Sequence, residues 1–161
     1  MPKTLKTVTP EEVYNYLISK GVSDIHAKGI LANIQEESRF EYDIVQSGMT
    51  EENGGIGLFQ YTYPSRKQGL LDHMKKNNTT WKTDWKAQVD FMLTERLTKK
   101  YLKTTPTTTK EAAENFMINW ENPHDQSESA IKKRTGYLDG TNPDFPDLNF
   151  NSIEATSSKK T

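Results

Sequence analysis

The stretch from Ser23 to Phe40 reads SDIHAKGILANIQEESRF, and it decides the fold that the sequence predicts. Ser23 is a favourable N-cap residue because its side-chain oxygen can accept a hydrogen bond from a free N–H of the first helical turn. Apolar residues then recur at helical spacing, at Ala27, Ile30, Leu31 and Ile34. We therefore predict an amphipathic helix that begins after Ser23 and runs to about Arg39.

Two adjacent glutamates near the end of this helix are predicted to meet different surroundings. At about 100° per residue, Glu37 falls on the edge of the apolar stripe, whereas Glu36 falls roughly opposite it. We expect Glu36 to be solvated and Glu37 to be half-buried. Burial and the negative helix C-terminus would both raise the pKa of Glu37, as a general acid requires. The spacing alone leaves open a plain hydrogen bond to a loop, since structural groups also occupy such positions.

Helical periodicity returns in most of the remaining chain. Thr9 can cap a helix that starts at Pro10 and ends near Gly21. A stripe from Trp85 to Tyr101 predicts one helix of about five turns. Further helices are predicted over 65–76, over 109–123 with Thr109 as its cap, and over 127–140.

The segment between the second and third predicted helices departs from this pattern. Four glycines interrupt residues 41–64, and Asn53-Gly54 is a strong turn pair. The stretch 53–62 reads NGGIGLFQYT, and we predict a small β-hairpin lobe there. The chain thus divides into one folded domain over 7–148 and a polar tail or linker over 149–161.

Composition bounds the classes of function. The 161 residues suffice for one domain, and a formal net charge of −1 argues against a nucleic-acid binder. No run of about 18 apolar residues is present, so we expect no membrane span, and the first ten residues lack the apolar core of a signal peptide. Cysteine is absent and the three histidines lack metal-ligand spacing, so we expect neither a metal site nor a cofactor.

Several short motifs, in a fixed order, resemble those of a known family. NIQEESRF (33–40) and NGGIGLFQYT (53–62) resemble the signature of the lysozyme-like superfamily, in which a helix ending in Glu-Ser precedes a Gly-Leu-x-Gln segment. The stretch 21–40 is similar to the phage tail lysozyme family in particular. So are Gln60-Tyr61-Thr62 with the following Arg66 and Leu70, the 84–93 helix, and AAENFMINWENP (112–123) with Arg134 beyond it. The resemblance covers about residues 9–140.

This resemblance implies an α+β, mainly helical, lysozyme-like fold in which a β-hairpin lobe and a helical lobe flank a glycan cleft. It also implies that Glu37 is the catalytic acid that protonates the leaving glycosidic oxygen. Glycines in the cleft floor would let the glycan approach the backbone closely. Tyr61 and Trp120 would offer platforms to sugar rings, although core packing is the favoured role for Trp120. The substrate-contacting residues that it implies are Ser38, Gly57, Leu58, Phe59, Gln60, Tyr61 and Trp120.

A second carboxylate, which most glycosidases use, is harder to assign. Animal-type lysozymes carry an aspartate two residues before the glycine of the Gly-x-x-Gln segment, and this chain has Gly55 there. Glu51 and Glu52 at the predicted hairpin tip are candidates, and Asp43 is another. Without any of them, a water held near Gln60 could attack, or the 6-hydroxyl of the sugar could form a 1,6-anhydro product. The acidic Glu121 is expected to be a structural partner of Arg66 or Arg134.

The resulting prediction is a muramidase that cleaves the β-1,4 bond between N-acetylmuramic acid and N-acetylglucosamine. A lytic transglycosylase and a non-catalytic glycan-binding or tail-plug module are the alternatives. The expected partners are peptidoglycan strands, other phage tail proteins and a C-terminal peptidase domain. The expected location is the virion tail tip, acting on the host cell wall, although an endolysin without a signal peptide would have a similar sequence.

Overall fold

The regular structure is helical in the part of the chain that the computed structural model describes, residues 6–121 and Ser129. The helices are α1 (Pro10–Ser19), α2 (Asp24–Ser38), α3 (Pro64–Lys76), α4 (Trp85–Thr94), α5 (Arg96–Leu102) and α6 (Thr109–Phe116), and a π-helical turn (Met117–Glu121) follows α6. This mainly helical architecture is compatible with a lysozyme-like fold. Most of the helix predicted over 127–140 and the whole tail over 149–161 lie outside the described residues, although Ser129 is helical.

Side-chain caps fix where the first two helices begin, as predicted. The Thr9 hydroxyl accepts a hydrogen bond from the Glu12 N–H at 3.1 Å, and the Ser23 hydroxyl accepts one from the His26 N–H at 3.2 Å. The third predicted cap is displaced by one residue. Thr108, with an extended backbone, caps α6 in place of Thr109 by accepting from the Glu111 N–H at 3.1 Å.

Helix α2 runs through the middle of the core, and it is buried on more sides than its apolar stripe predicts. Every residue from 27 to 35 is buried, including Lys28, which is only 2% exposed and pairs with Asp24 at 3.2 Å. The helix packs mainly against α6 and α1. The rest of the apolar core includes Val13, Leu17, Leu70, Val89, Met92, Tyr101 and Phe116.

Gly29 allows α2 to approach α5 and α6 closely. A Cβ atom there would lie 2.5 Å from the Tyr101 hydroxyl and 2.8 Å from the carbonyl carbon of Ala112. Gly29→Ala should therefore lower the free energy of unfolding by about 1–3 kcal/mol through overpacking, despite the better helix propensity of alanine. Urea unfolding measures this. Gly69→Ala is the control and should cost less, because its Cβ would come no closer than 3.0 Å to another atom, at the edge of the Phe91 ring. Equal effects of the two substitutions would contradict the prediction.

The predicted five-turn helix is wrong, because the chain breaks at Glu95 into α4 and α5. Glu95 adopts extended dihedral angles, φ −73° and ψ 144°. The Thr98 hydroxyl donates to the Met92 carbonyl at 2.6 Å, which satisfies one of the carbonyls that the break releases. The Glu95 carboxylate bonds Tyr61 and Arg66. The apolar stripe continues across the break, which is why periodicity concealed it.

The predicted β-hairpin is not formed as a pair of strands. Residues 41–62, called the floor segment below, make two isolated antiparallel bridges within themselves, Val45 with Ile56 and Ile56 with Tyr61. Gly57 and Gln60 have φ values of 76° and 51°, so the chain turns too tightly between them for extended strands. The described part of the chain contains no helix that is both long and apolar enough to cross a membrane.

Candidate functional site

Glu37 lies in the last turn of α2, where the chain turns into the floor segment. The helix ends because Arg39 and Phe40 both adopt left-handed backbone conformations, with φ of 55° and 65°. The Phe40 carbonyl accepts a hydrogen bond from the Val8 N–H at 3.0 Å, which holds this turn against the chain before α1. Glu37 is half-buried, as predicted. The end of α2 thus places a carboxyl group at the entrance to the floor segment.

The predicted contrast between the two glutamates is wrong, because Glu36 is also half-buried rather than solvated. Neighbouring elements surround α2 more completely than a single apolar stripe suggests. Ser38, which follows them, is buried, and its hydroxyl donates to the Ile34 carbonyl at 3.2 Å. The Ser38 hydroxyl therefore supports the helix end.

Asn33 places a buried hydrogen-bond acceptor about one helical turn before Glu37. Its side-chain N–H₂ donates to the carbonyls of Gly29 at 2.9 Å and Ala113 at 3.1 Å, which fixes the orientation of the amide. Its side-chain oxygen is buried and has no hydrogen-bond partner. Any group that binds this oxygen must donate a proton to it.

The floor segment is folded back on itself by a few specific hydrogen bonds. Gln46 and Gly55 exchange two of them: the Gln46 N–H donates to the Gly55 carbonyl at 2.8 Å, and the Gly55 N–H donates to the Gln46 side chain at 3.0 Å. The Gly57 N–H donates to the Ile44 carbonyl at 2.9 Å. These contacts close a compact loop without a ladder of strand pairs.

Gln60 is the only residue between 54 and 61 whose side chain is not buried. Its side-chain N–H₂ donates to the Gly57 carbonyl at 3.1 Å, so the amide folds back over the turn. Leu58, Phe59 and Tyr61 are core residues instead. Among the substrate-contacting residues expected in this stretch, Gln60 is therefore the one whose side chain can meet a ligand.

The two glycines expected to admit the glycan accommodate glutamine side chains instead. A Cβ atom at Gly55 would lie 2.8 Å from the side-chain oxygen of Gln60, and one at Gly57 would collide with the side-chain oxygen of Gln88. Gly57 also needs its positive φ. The glycines are required for packing within the protein, and the expectation that they open space for a glycan is corrected.

Trp120 and Tyr61 pack in the core, which is the role favoured for Trp120 from its sequence. Trp120 is 1% exposed, with the Phe116 ring stacked 4.9 Å away and the Arg66 guanidinium carbon 4.1 Å from its ring centroid. Tyr61 is 2% exposed, and its hydroxyl donates to Glu95 at 2.6 Å. This placement leaves neither ring open for stacking on a sugar.

Arg66 and Glu95 connect the floor segment to three helical elements. The guanidinium donates to both carboxylate oxygens of Glu95, at 2.9 and 3.1 Å, and to the Trp120 carbonyl at 3.2 Å. Tyr61 adds its hydroxyl to the same carboxylate. The expected partner of Arg66 was Glu121, whose side chain lies outside the described residues. In the structure Arg66 binds Glu95, a residue that the sequence analysis places inside a continuous helix.

The three candidates for a second carboxylate occupy different surroundings. Glu51 forms an ion pair with Lys82, whereas Glu52 is exposed and Asp43 is half-buried. The turn that carries Glu51 and Glu52 is held by Lys67, a buried lysine whose ammonium group donates to the carbonyls of Glu51 at 2.6 Å and Gly54 at 2.5 Å. Glu52 thus projects into solvent from a fixed turn.

Comparison with known families decides the classification. The sequence model described as phage tail lysozyme matches residues 9–137. The chain belongs to the phage tail lysozyme family. No curated protein matches the chain. Family membership makes this chain a lysozyme-like, peptidoglycan-lytic domain associated with phage tails.

Sequence reasoning missed two residues that shape the site of this phage tail lysozyme. Lys67 and Gln88 are buried polar side chains on α3 and α4, and each binds the backbone of the floor segment. Lys67 precedes the apolar Leu70 by three residues and Gln88 precedes Val89 by one, and polar residues at such positions are too common to single these two out. Within residues 6–121, no group of three or more histidine, aspartate or glutamate side chains could hold a metal ion.

Proposed function

We propose that this phage tail lysozyme is a muramidase that hydrolyses the β-1,4 bond between N-acetylmuramic acid and N-acetylglucosamine, with Glu37 as its general acid. The observation that carries the proposal is the position of Glu37, half-buried at the end of a buried helix and next to the floor segment. The family match supports the substrate class.

In the proposed reaction, the Glu37 carboxyl donates its proton to the bridging glycosidic oxygen as the bond from that oxygen to the anomeric carbon breaks. The developing positive charge is shared between the anomeric carbon and the ring oxygen. A water then adds to the anomeric carbon and loses its proton to a base. The Gln60 side chain holds the sugar, and positioning by such a contact supplies part of the rate enhancement.

Glu52 is the carboxylate that best suits the role of base for the attacking water. Glu51 is already engaged with Lys82, which holds its carboxylate in an ion pair. Glu52 is exposed on the turn that Lys67 fixes. A carboxylate in this position can accept the proton that the attacking water loses. Inverting enzymes separate their two carboxyl groups by roughly 6.5–9.5 Å to make room for that water.

The further elements of the proposal concern location and partners. We place this domain at the tail tip, where it would open the host wall locally during genome entry. Other tail proteins and a C-terminal peptidase domain are its proposed neighbours. The family match to a tail lysozyme supports this assignment.

A lytic transglycosylase is the second candidate, and Gly55 favours it. A Cβ atom at this position would lie 2.8 Å from the Gln60 side-chain oxygen and 3.1 Å from the Thr62 hydroxyl. The site therefore has no room for the aspartate that animal-type lysozymes carry there. Without a second acid, the 6-hydroxyl of the muramic acid residue can attack its own anomeric carbon and give a 1,6-anhydro end.

Mass spectrometry of the products, together with a turbidity assay on Gram-positive cell walls, tests these alternatives. We expect turbidity to fall and muramic acid to appear with reducing ends, because water is the proposed nucleophile. Ends lighter by one water would assign the transglycosylase reaction instead. Unchanged turbidity, with the protein sedimenting on intact walls, would replace catalysis by glycan binding.

A further inference from the structure

Gln88 is a fully buried polar residue that joins three separate parts of the chain. It lies on α4 and has no exposed surface. Its side-chain N–H₂ donates to the carbonyls of Tyr42 at 2.8 Å and Trp81 at 2.7 Å, and its side-chain oxygen accepts from the Leu58 N–H at 2.8 Å. Both donors and one acceptor site are therefore used, as burial of an amide requires.

The floor segment depends on this side chain because it has little regular structure of its own. Its internal pairing consists of isolated bridges, so no strand ladder fixes the turn over residues 57–60. The Leu58 N–H, in the middle of that turn, is bound by Gln88. Tyr42, at the start of the segment, is bound by the same amide. One side chain thus sets the separation between the beginning of the segment and its turn.

Gly57 is the counterpart of Gln88 in the floor segment. The Gln88 side-chain oxygen occupies the space where a Cβ atom of residue 57 would lie. The positive φ of Gly57 turns its neighbours so that the Leu58 N–H meets that oxygen while the Gln60 side chain remains partly exposed. The glycine and the glutamine therefore form one packing unit directly beneath Gln60.

We propose that Gln88 is a positioning residue for glycan binding, which acts by holding the Gly57–Gln60 turn in the conformation that presents Gln60 to the sugar. The inference rests on the proposed function, since it assumes that this turn contacts the glycan. Gln88 itself does not touch the substrate. Its effect should appear in the affinity for glycan and leave the ionisation of the catalytic acid unchanged.

The test measures the affinity for a soluble glycan oligomer of alternating N-acetylglucosamine and N-acetylmuramic acid, in a Glu37→Gln background that slows turnover. Gln88→Met keeps the length of the side chain and removes all three hydrogen bonds. We expect the affinity to fall by about tenfold, the equivalent of one well-made hydrogen bond. Gln68→Met is the matched control, because Gln68 is exposed on α3 and bonds only Asp72, and it should leave the affinity unchanged.

Two further readouts separate positioning from stability alone. Amide exchange at Leu58 should accelerate in Gln88→Met, and in the active enzyme KM should rise while the pH profile of kcat keeps its shape. A variant that loses stability but retains the parent affinity at temperatures far below its Tm would overturn the proposal. If Gln88→Met does not fold, Gln88→Glu retains the acceptor for the Leu58 N–H and loses both donors. It should then keep slow amide exchange at Leu58 and the parent affinity, and slow exchange together with a lower affinity would overturn the proposal.

Glycan binding by the parent, the Glu37→Gln variant with Gln88 unchanged, distinguishes failure of the positioning role from failure of the proposed function. Glycan binding by the parent and equal binding by Gln88→Met would refute only the positioning role. Absence of glycan binding by the parent and by the unsubstituted chain would refute the proposed function, and the positioning role with it.

Discussion

Lysis of peptidoglycan should fall by at least about 10²-fold when Glu37 is replaced by glutamine, the usual contribution of a positioned general acid. Glutamine has nearly the same shape as glutamate and cannot transfer a proton to the glycosidic oxygen. The fold should persist, because Glu37 lies at the end of α2 and is only half-buried. The rate of turbidity loss on purified cell walls measures the effect, and thermal unfolding verifies that the variant is folded.

Glu36→Gln is the matched control, since it changes the preceding residue of the same helix turn, which is buried to a similar degree. Its lytic rate should remain close to that of the unsubstituted chain. Full activity in Glu37→Gln would remove Glu37 from the mechanism. Equal losses in both variants would assign the effect to disturbance of the helix end rather than to proton transfer.

Removal of the Glu95 carboxylate should be strongly destabilising, because this carboxylate accepts hydrogen bonds from both the Arg66 guanidinium and the Tyr61 hydroxyl. The side chains of Arg66 and Glu95 are 20% and 11% exposed. Breaking a buried ion pair by removing one partner costs about 3–5 kcal/mol, and partial exposure of Arg66 places Glu95→Ala near the lower end of that range. Denaturant unfolding gives the change in the free energy of unfolding.

Two variants at the same pair separate the lost hydrogen bonds from the stranded charge. Glu95→Gln retains hydrogen-bonding atoms and should cost less than Glu95→Ala. The double variant Arg66→Met with Glu95→Leu removes both charges together and should recover part of the loss, as apolar replacement of buried pairs often does. A Glu95→Ala protein as stable as the original would show that the hydrogen bonds among Tyr61, Arg66 and Glu95 do not contribute to stability.

Most helices were predictable because their signals are local. The caps Thr9 and Ser23 and the stripe of α2 each lie within a few residues of the structure that they specify. The break at Glu95 is not visible in the local pattern, since the carboxylate at this position is bound by residues about 30 positions earlier in the chain. The spacing of apolar residues indicates which face of a helix is buried. It does not indicate which side chain of another helix or loop will bind a given residue.

The candidate site divides in the same way. The position of Glu37 followed from one helix and its ending, so the sequence alone located it. The sequence predicts a hairpin in the floor segment because glycines interrupt the helical period there and Asn53-Gly54 is a strong turn pair. Its observed shape depends on Lys67 and Gln88, which bind it from α3 and α4. Short-range sequence patterns do not predict hydrogen bonds between such distant residues.

The dependence of the floor segment on Lys67 and Gln88 has a consequence for protein engineering. A segment whose shape is imposed by distant side chains cannot be transplanted as an independent cassette. Exchange of residues 41–62 between two relatives would transfer the proposed ligand contacts without their geometry, unless the residues at positions 67 and 88 were exchanged as well. The smallest portable unit of this lysozyme is therefore discontinuous in sequence: a loop together with two anchors on separate helices.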